Sequence, residues 1–199
     1  MFREGLKQIL GREPDVHSVD EAGNGSEAMD RIRARHYTVV VLDISMPGQT
    51  GWDILSSIRH EKPGLPVLIL SMHPEEQYAV RMLKAGAAGY VTKESAADVL
   101  IGAIRKVAAG GLYVSSVLAE KLASTLSPDS TVPLHQQLSN REFQVMSMLA
   151  SGVTLREIAD ALCLSEKTIT TYRARVLEKL GVRNNVELTR YAMEHKLLG

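Results

Sequence analysis

The stretch VVVLDISMPGQTG, Val39 to Gly51, decides how the first half of this chain is read. A β-branched apolar run reads as a strand covered on both faces, yet it runs into a carboxylate, Asp43, just before a Pro47-Gly48 turn. A buried strand that ends in a charge asks for a reason other than packing. Outward from it, apolar runs alternate with amphipathic segments. The pattern predicts a strand over 16–22 (VHSVDEA), a helix over 26–36, a strand over 38–42, a helix over 52–61, a strand over 66–70, a helix over 75–85, a strand over 89–92 and a helix over 95–109. Such alternation predicts βαβ units around a parallel sheet, an α/β fold.

Residues 127–137, SPDSTVPLHQQ, carry two prolines and small polar residues without an apolar period, as expected of a connection between folding units. Beyond them, segments 139–150, 154–162, 166–180 and 185–195 repeat apolar residues at helical spacing and predict an all-helical bundle. Formal net charge is zero over 199 residues. The first 134 residues hold 14 Lys and Arg against 16 Asp and Glu, and the remainder nine against seven, so the slight positive excess sits in the bundle. With 45% hydrophobic and 23% charged residues the composition is that of a globular protein. No apolar run approaches the roughly 20 residues that span a bilayer, and the N-terminus lacks a basic-then-apolar leader, so a cytoplasmic protein is expected. Cys163, the single cysteine, reads as a small buried apolar residue, and the six histidines show no ligand-like spacing.

In an open parallel sheet ligands bind beyond the carboxyl ends of the strands. Three predicted strands finish in chemistry: Asp43, Ser71 and Lys93. A carboxylate accepts a phosphoryl group, a hydroxyl hydrogen-bonds it and an ammonium neutralises its charge. Singly, each has an ordinary role as a turn former, a cap or a solvated lysine; together they point to one site. In the bundle, helix 154–162 stops at Cys163-Leu164 and Ser165 is placed to cap the next helix, the layout of a helix-turn-helix. Thr168, Thr170, Thr171, Arg173, Ala174, Arg175 and Lys179 fall on its outer surface, while Ile169, Tyr172, Val176 and Leu180 face inward. In such motifs the second helix enters the major groove.

The segments AGNGSEAM, VVVLDISMPGQTGWDIL, LPVLILSMHPEEQYAVRMLKAGAAGYVTKESAADVLIGAIRKVAAGG and the C-terminal region resemble a two-component response regulator of the NarL/FixJ type, with a LuxR-type frame SxxTIxxYxxxVxxKLGV from Ser165 to Val182. The resemblance implies a flavodoxin-like receiver over 1–110, a linker helix and flexible linker over 111–137, and a LuxR-type helix-turn-helix domain over 138–199. It implies Asp43 as phosphoacceptor, Ser71 as switch hydroxyl, Lys93 as the phosphate-bridging lysine and Tyr90 as the aromatic whose rotamer follows the state. Pro47 and Gly48 would shape the loop, and Asp43 with the Ser45 carbonyl would contribute to a magnesium site. The implied partners are a sensor histidine kinase, an inverted-repeat DNA operator and a second copy joined through the last helix by Val186, Leu188, Thr189 and Tyr191. Not an enzyme but a transcription regulator is expected: a haloacid-dehalogenase-type phosphatase needs a second aspartate where Ser45 stands.

Receivers of this family begin with a strand ending in an acidic pair, central to a 2-1-3-4-5 sheet order; here Met1-Phe2 precede REGLK directly. The expectation is a receiver lacking its first strand, with an unpaired sheet edge or with strand 16–22 pressed against strand 38–42. Three accounts stay open: a truncated sequence or a late start codon, a degenerate receiver that signals without phosphate, or transfer of the metal-binding role to Asp20-Glu21.

Overall fold

A computed structural model describes residues 2–44, 51–125 and 133–198. The expectations for Ser45, Pro47 and Gly48, and those for residues 127–132, lie outside the described residues. Two compact units divide the chain, one of residues 1–72 with 82–114 and one of residues 73–81 with 115–199.

The first unit is built on three parallel strands in the order β1-β2-β3: β1 (Val40–Asp43), β2 (Val67–Ser71) and β3 (Gly89–Thr92). Asp43 stands beside Leu70, and Ser71 beside Thr92. The middle strand, VLILS, is buried at all five positions, which is why it reads as an uninterrupted apolar run. Helices α1 (Phe2–Leu10), α2 (Gly25–Ala34), α3 (Gly51–Glu61) and α5 (Ala97–Ala108) belong to this unit, and α4 (Glu75–Lys84) crosses the division between the two. The spacing of Leu100, Ala103, Ile104 and Val107 lays one stripe of α5 onto Leu68, Leu70 and Val91, with Leu10 of α1 in the same cluster. Gly51 opens α3 directly under the exit of β1, where a Cβ would come within 2.6 Å of the Ile44 Cα. Only glycine fits there.

The expected strand over 16–22 is not formed. Val16 and Val19 pack against the core cluster, but the segment joins no strand, and the sheet has three strands among the described residues. An alternating apolar pattern selects a buried face; a ladder needs a paired neighbour, and β1 pairs with β2 alone. The entry to this segment is fixed by Arg105, whose guanidinium donates to Asp15 at 2.7 and 2.8 Å and to Glu13 at 2.7 Å. Helix α1, which the sequence reading did not assign, closes the same side, with Lys7 paired to Glu21 at 3.0 Å.

The second unit contains α6 (Ser116–Thr125), a 3-10 turn over Leu134–Gln137, and helices α7 (Asn140–Ala150), α8 (Leu155–Leu162), α9 (Glu166–Leu180) and α10 (Asn185–Glu194). The irregular connection expected to run to residue 137 therefore ends in a 3-10 turn. Its core holds Phe143, Met146, Ile158, Ile169, Val176 and Leu188. Residues 73–81 pack here: the Tyr78 ring meets Phe143 edge-on at 5.3 Å, and the Arg81 guanidinium stacks over Phe143 at 4.2 Å and donates to the Leu138 carbonyl at 2.8 Å. Burial pushes Arg81 down to about 10 and raises the Tyr78 phenol. Cys163 is exposed, contrary to expectation. It is the C-cap of α8 with φ 53°, a left-handed position that turns its side chain away from the core.

Candidate functional site

The three strand ends meet at one rim. Lys93, just past β3, extends its ammonium to Asp43 at the end of β1, with Nζ 2.5 Å from Oδ2. Its backbone N–H donates to the Ser71 carbonyl at 2.7 Å, so β2 holds the base of the lysine. Lys93 is 14% exposed in its side chain and Asp43 33%, so the carboxylate opens to solvent while the lysine stem is shielded. Ser71 and Tyr90 are fully buried on the two neighbouring strands. The arrangement presents a nucleophilic oxygen at the surface with a fixed positive charge beside it, the requirement for accepting a phosphoryl group from solution.

In the bundle, α8 starts from a capping box in which Thr154 and Glu157 satisfy each other's backbone N–H. Its left-handed end at Cys163 leads straight into α9, capped by Ser165, whose hydroxyl accepts from the Thr168 N–H at 3.1 Å. Gly181, at φ 67°, terminates α9. Thr170, Thr171, Ala174, Arg175 and Lys179 are exposed, and Thr168 and Arg173 half-buried. Several are already engaged. Thr170 and Thr171 donate to the carbonyls of Glu166 and Lys167, Arg173 donates to Asn185 at 2.7 Å, and Lys179 donates to Glu142 at 2.6 Å.

Residues 1–105 match the response regulator receiver domain, and residues 136–192 match the luxR family of bacterial regulatory proteins. This chain belongs to the response-regulator family. Among relatives of this response regulator, the regulatory protein UhpA of Escherichia coli (strain K12) is 40% identical over 190 residues, covering 96% of this chain and 91% of UhpA. UvrY of the same strain is 35% identical over 198 residues, covering 99% and 91%. A solved structure of RcsB from Salmonella typhimurium superposes with a TM-score of 0.73 at 27% identity, covering 96% of this chain and 91% of that one. RcsB from Salmonella enterica serovar Typhimurium bound to promoter rprA in the presence of the phosphomimetic BeF3- superposes at 0.67 with 26% identity, covering 94% and 91%.

Response-regulator receivers generally bind magnesium. The described residues of this one do not fit the ion. Asp20 accepts from the Tyr37 hydroxyl at 2.7 Å and from Arg35 at 3.0 Å, and Glu21 is paired with Lys7. The Tyr37 hydroxyl above all, then Arg35, holds the Asp20 carboxyl below its ordinary value despite partial desolvation. No group of three or more His, Cys, Asp or Glu gathers around a cation position among the described residues. A magnesium ion is bound through one or two carboxylates in a near-octahedral oxygen shell, and Asp43 alone is a weak anchor already salt-bridged to Lys93.

Two further residues of the bundle escaped the sequence reading. Glu142 is 3% exposed, caps α7 through the Ser139 N–H at 2.7 Å and holds Lys179 of α9. The signal was available as Ser-x-x-Glu at 139–142. Lys167 is exposed in the first turn of α9, one turn before Thr170 and Thr171. On α10, Leu188 is buried, Thr189 donates to the Asn185 carbonyl at 3.0 Å and the Tyr191 hydroxyl accepts from the His135 N–H at 3.2 Å; Val186, by contrast, is 80% exposed. No described helix is long and apolar enough to cross a membrane.

Proposed function

We propose that this response regulator is phosphorylated on Asp43 by a sensor histidine kinase and in that state controls transcription, binding an inverted-repeat DNA site as a homodimer through α9. The 2.5 Å contact between Lys93 and Asp43 at the sheet rim is the observation that carries the reading. An Asp43 carboxylate oxygen attacks phosphorus; the bond from phosphorus to the donor's leaving atom breaks, and the acyl phosphate inherits Lys93 as its counter-charge. The Ser71 hydroxyl is the group on the neighbouring strand that donates to the new phosphoryl oxygens. Tyr90, on the strand beyond, responds through its ring position.

The DNA reading rests on α9 and its exposed Thr170, Thr171, Ala174 and Arg175. Methyl-bearing threonine and alanine suit contact with thymine methyl groups, while Arg175 and Lys167 suit phosphates or guanine. RcsB, solved on promoter DNA with a phosphomimetic present, supports the same order of events. Val186 on α10 is the exposed apolar side chain of the proposed pairing surface.

The test is a gel shift on DNA selected from a random pool by this protein, with and without acetyl phosphate. Phosphoryl donor tightens binding of the wild type and leaves Asp43→Asn unchanged. Equal donor response of the two proteins overturns the reading; donor-independent binding by both supports a regulator that works without phosphate.

A further inference from the structure

The second unit gathers three rings that stand far apart in the sequence. His135 lies in the 3-10 turn Leu134–Gln137, Tyr191 on α10, and His195 at the C-cap of that helix. The centroids of the two imidazoles are 5.3 Å apart with the ring planes at 59°, and the Tyr191 ring lies 4.3 Å from His195 and 6.1 Å from His135. His195 is exposed and the other two are half-buried, so solvent reaches the cluster.

Aromatic contact alone would give this spacing. A metal ion would give it too: on a tetrahedral ion with nitrogen ligands at about 2.0–2.1 Å, two imidazole centroids lie roughly 5 Å apart. Two features favour the ion. The Tyr191 phenol oxygen lies 3.2 Å from both the backbone nitrogen and Nδ1 of His135. With hydrogen on Nδ1, both N–H groups end on that one oxygen and Nε2 carries the lone pair, as in a ligand histidine that donates its other N–H to an outer oxygen. His195 is placed by its own backbone, whose N–H donates to the Tyr191 carbonyl at 3.1 Å at the C-terminus of α10, where the helix dipole favours positive charge. The Arg81 guanidinium donates to the His135 carbonyl and so engages the backbone of the turn.

We propose that His135 and His195 form a two-histidine site for a divalent transition-metal ion of the zinc, nickel and copper class, with Tyr191 as the residue that orients His135. Nitrogen ligands select that class over magnesium, which takes oxygen. Water completes the shell, because no third His, Cys, Asp or Glu joins the pair among the described residues. Two protein ligands hold an exchangeable ion, unlike the four of a structural zinc site. The bound ion ties the 3-10 turn to the end of α10. The site stands apart from Asp43 and needs no phosphoryl chemistry.

The probe is zinc chloride, titrated into the metal-free, untagged 199-residue chain and read by isothermal calorimetry. One ion per chain is expected in the micromolar range, with copper bound more tightly than zinc. His135→Gln and His195→Gln are each expected to weaken binding at least tenfold. Tyr191→Phe keeps the ring and removes the orienting oxygen, and is expected to weaken binding about tenfold, which a role in stacking alone would not produce. Cys163→Ser and His60→Gln, which alter an exposed thiol and an exposed imidazole elsewhere, are expected to bind as the wild type does. Zinc is also expected to raise the thermal midpoint of the wild type and not that of His195→Gln, a readout that stands should His135→Gln loosen the turn. No saturation up to millimolar zinc overturns the proposal. Wild-type affinity in either histidine variant, loss of binding in Cys163→Ser, or one ion per two chains overturns it as well.

Discussion

The Lys93 ammonium sits 2.5 Å from the Asp43 carboxylate, across three strand ends and 50 residues of sequence. The strand register sets that contact: Asp43 stands level with Leu70, Ser71 with Thr92, and Lys93 follows one residue later. The ammonium that neutralises Asp43 is thus in place before any phosphoryl group arrives, which makes its removal informative. Lys93→Met is expected to reduce acetyl-phosphate labelling at least about tenfold, the scale of one lost charge-assisted hydrogen bond. Intact-mass measurement of the phosphorylated fraction over time checks this, and Lys93→Arg is expected to recover part of the loss.

Glu142 ties the start of α7 to the last turns of α9. Burial alone would raise its carboxyl, but the Lys179 ammonium and the Ser139 N–H outweigh it and hold it below the ordinary 4.5. A depressed folded value adds stability that is present above the unfolded value and lost as pH falls below it. The thermal midpoint of the wild type is therefore expected to drop as pH falls below 4.5, and that of Glu142→Gln to be lower at neutral pH and flatter through the same window. At neutral pH the substitution costs about 1–3 kcal/mol, since it leaves Lys179 without its carboxylate. Calorimetry at a series of pH values measures both.

Salt dependence separates positioning residues on α9 from phosphate contacts. Lys167→Ala and Arg175→Ala are each expected to lower the slope of log affinity against log salt by about one, the release of roughly one counterion. Lys179→Met is expected to leave the slope unchanged, because its ammonium is committed to Glu142. An equal slope change for Lys179→Met would reassign it to phosphate.

Two backbone positions frame the helix-turn-helix. Gly181 ends α9 at φ 67°, so Gly181→Ala is expected to cost about 1 kcal/mol from the left-handed strain alone. Ser165→Ala removes the α9 cap and costs about the same. Chemical denaturation of each variant provides the values.

Much of this architecture was legible because each signal was local. β2 reads as a strand because all five of its residues are buried between helices, and α8 and α9 because Thr154 and Ser165 announce their starts. The rim was legible because Asp43, Ser71 and Lys93 each interrupt an apolar run at its end. What failed was non-local. Residues 16–22 have the alternation of a strand, but strand character requires a partner backbone that β1 does not share with them. Cys163 has a side chain suited to a core, but the left-handed α8 cap faces solvent. Glu142 reads as a surface charge until packing brings Lys179 over it, 37 residues later in the chain.

The most direct test of the phosphoryl-switch account is site mapping after incubation with acetyl phosphate. The account predicts one phosphoryl group per wild-type chain, borne by the peptide containing Asp43 and absent from Asp43→Asn. A label retained by Asp43→Asn, or mapped to another residue in the wild type, would contradict it.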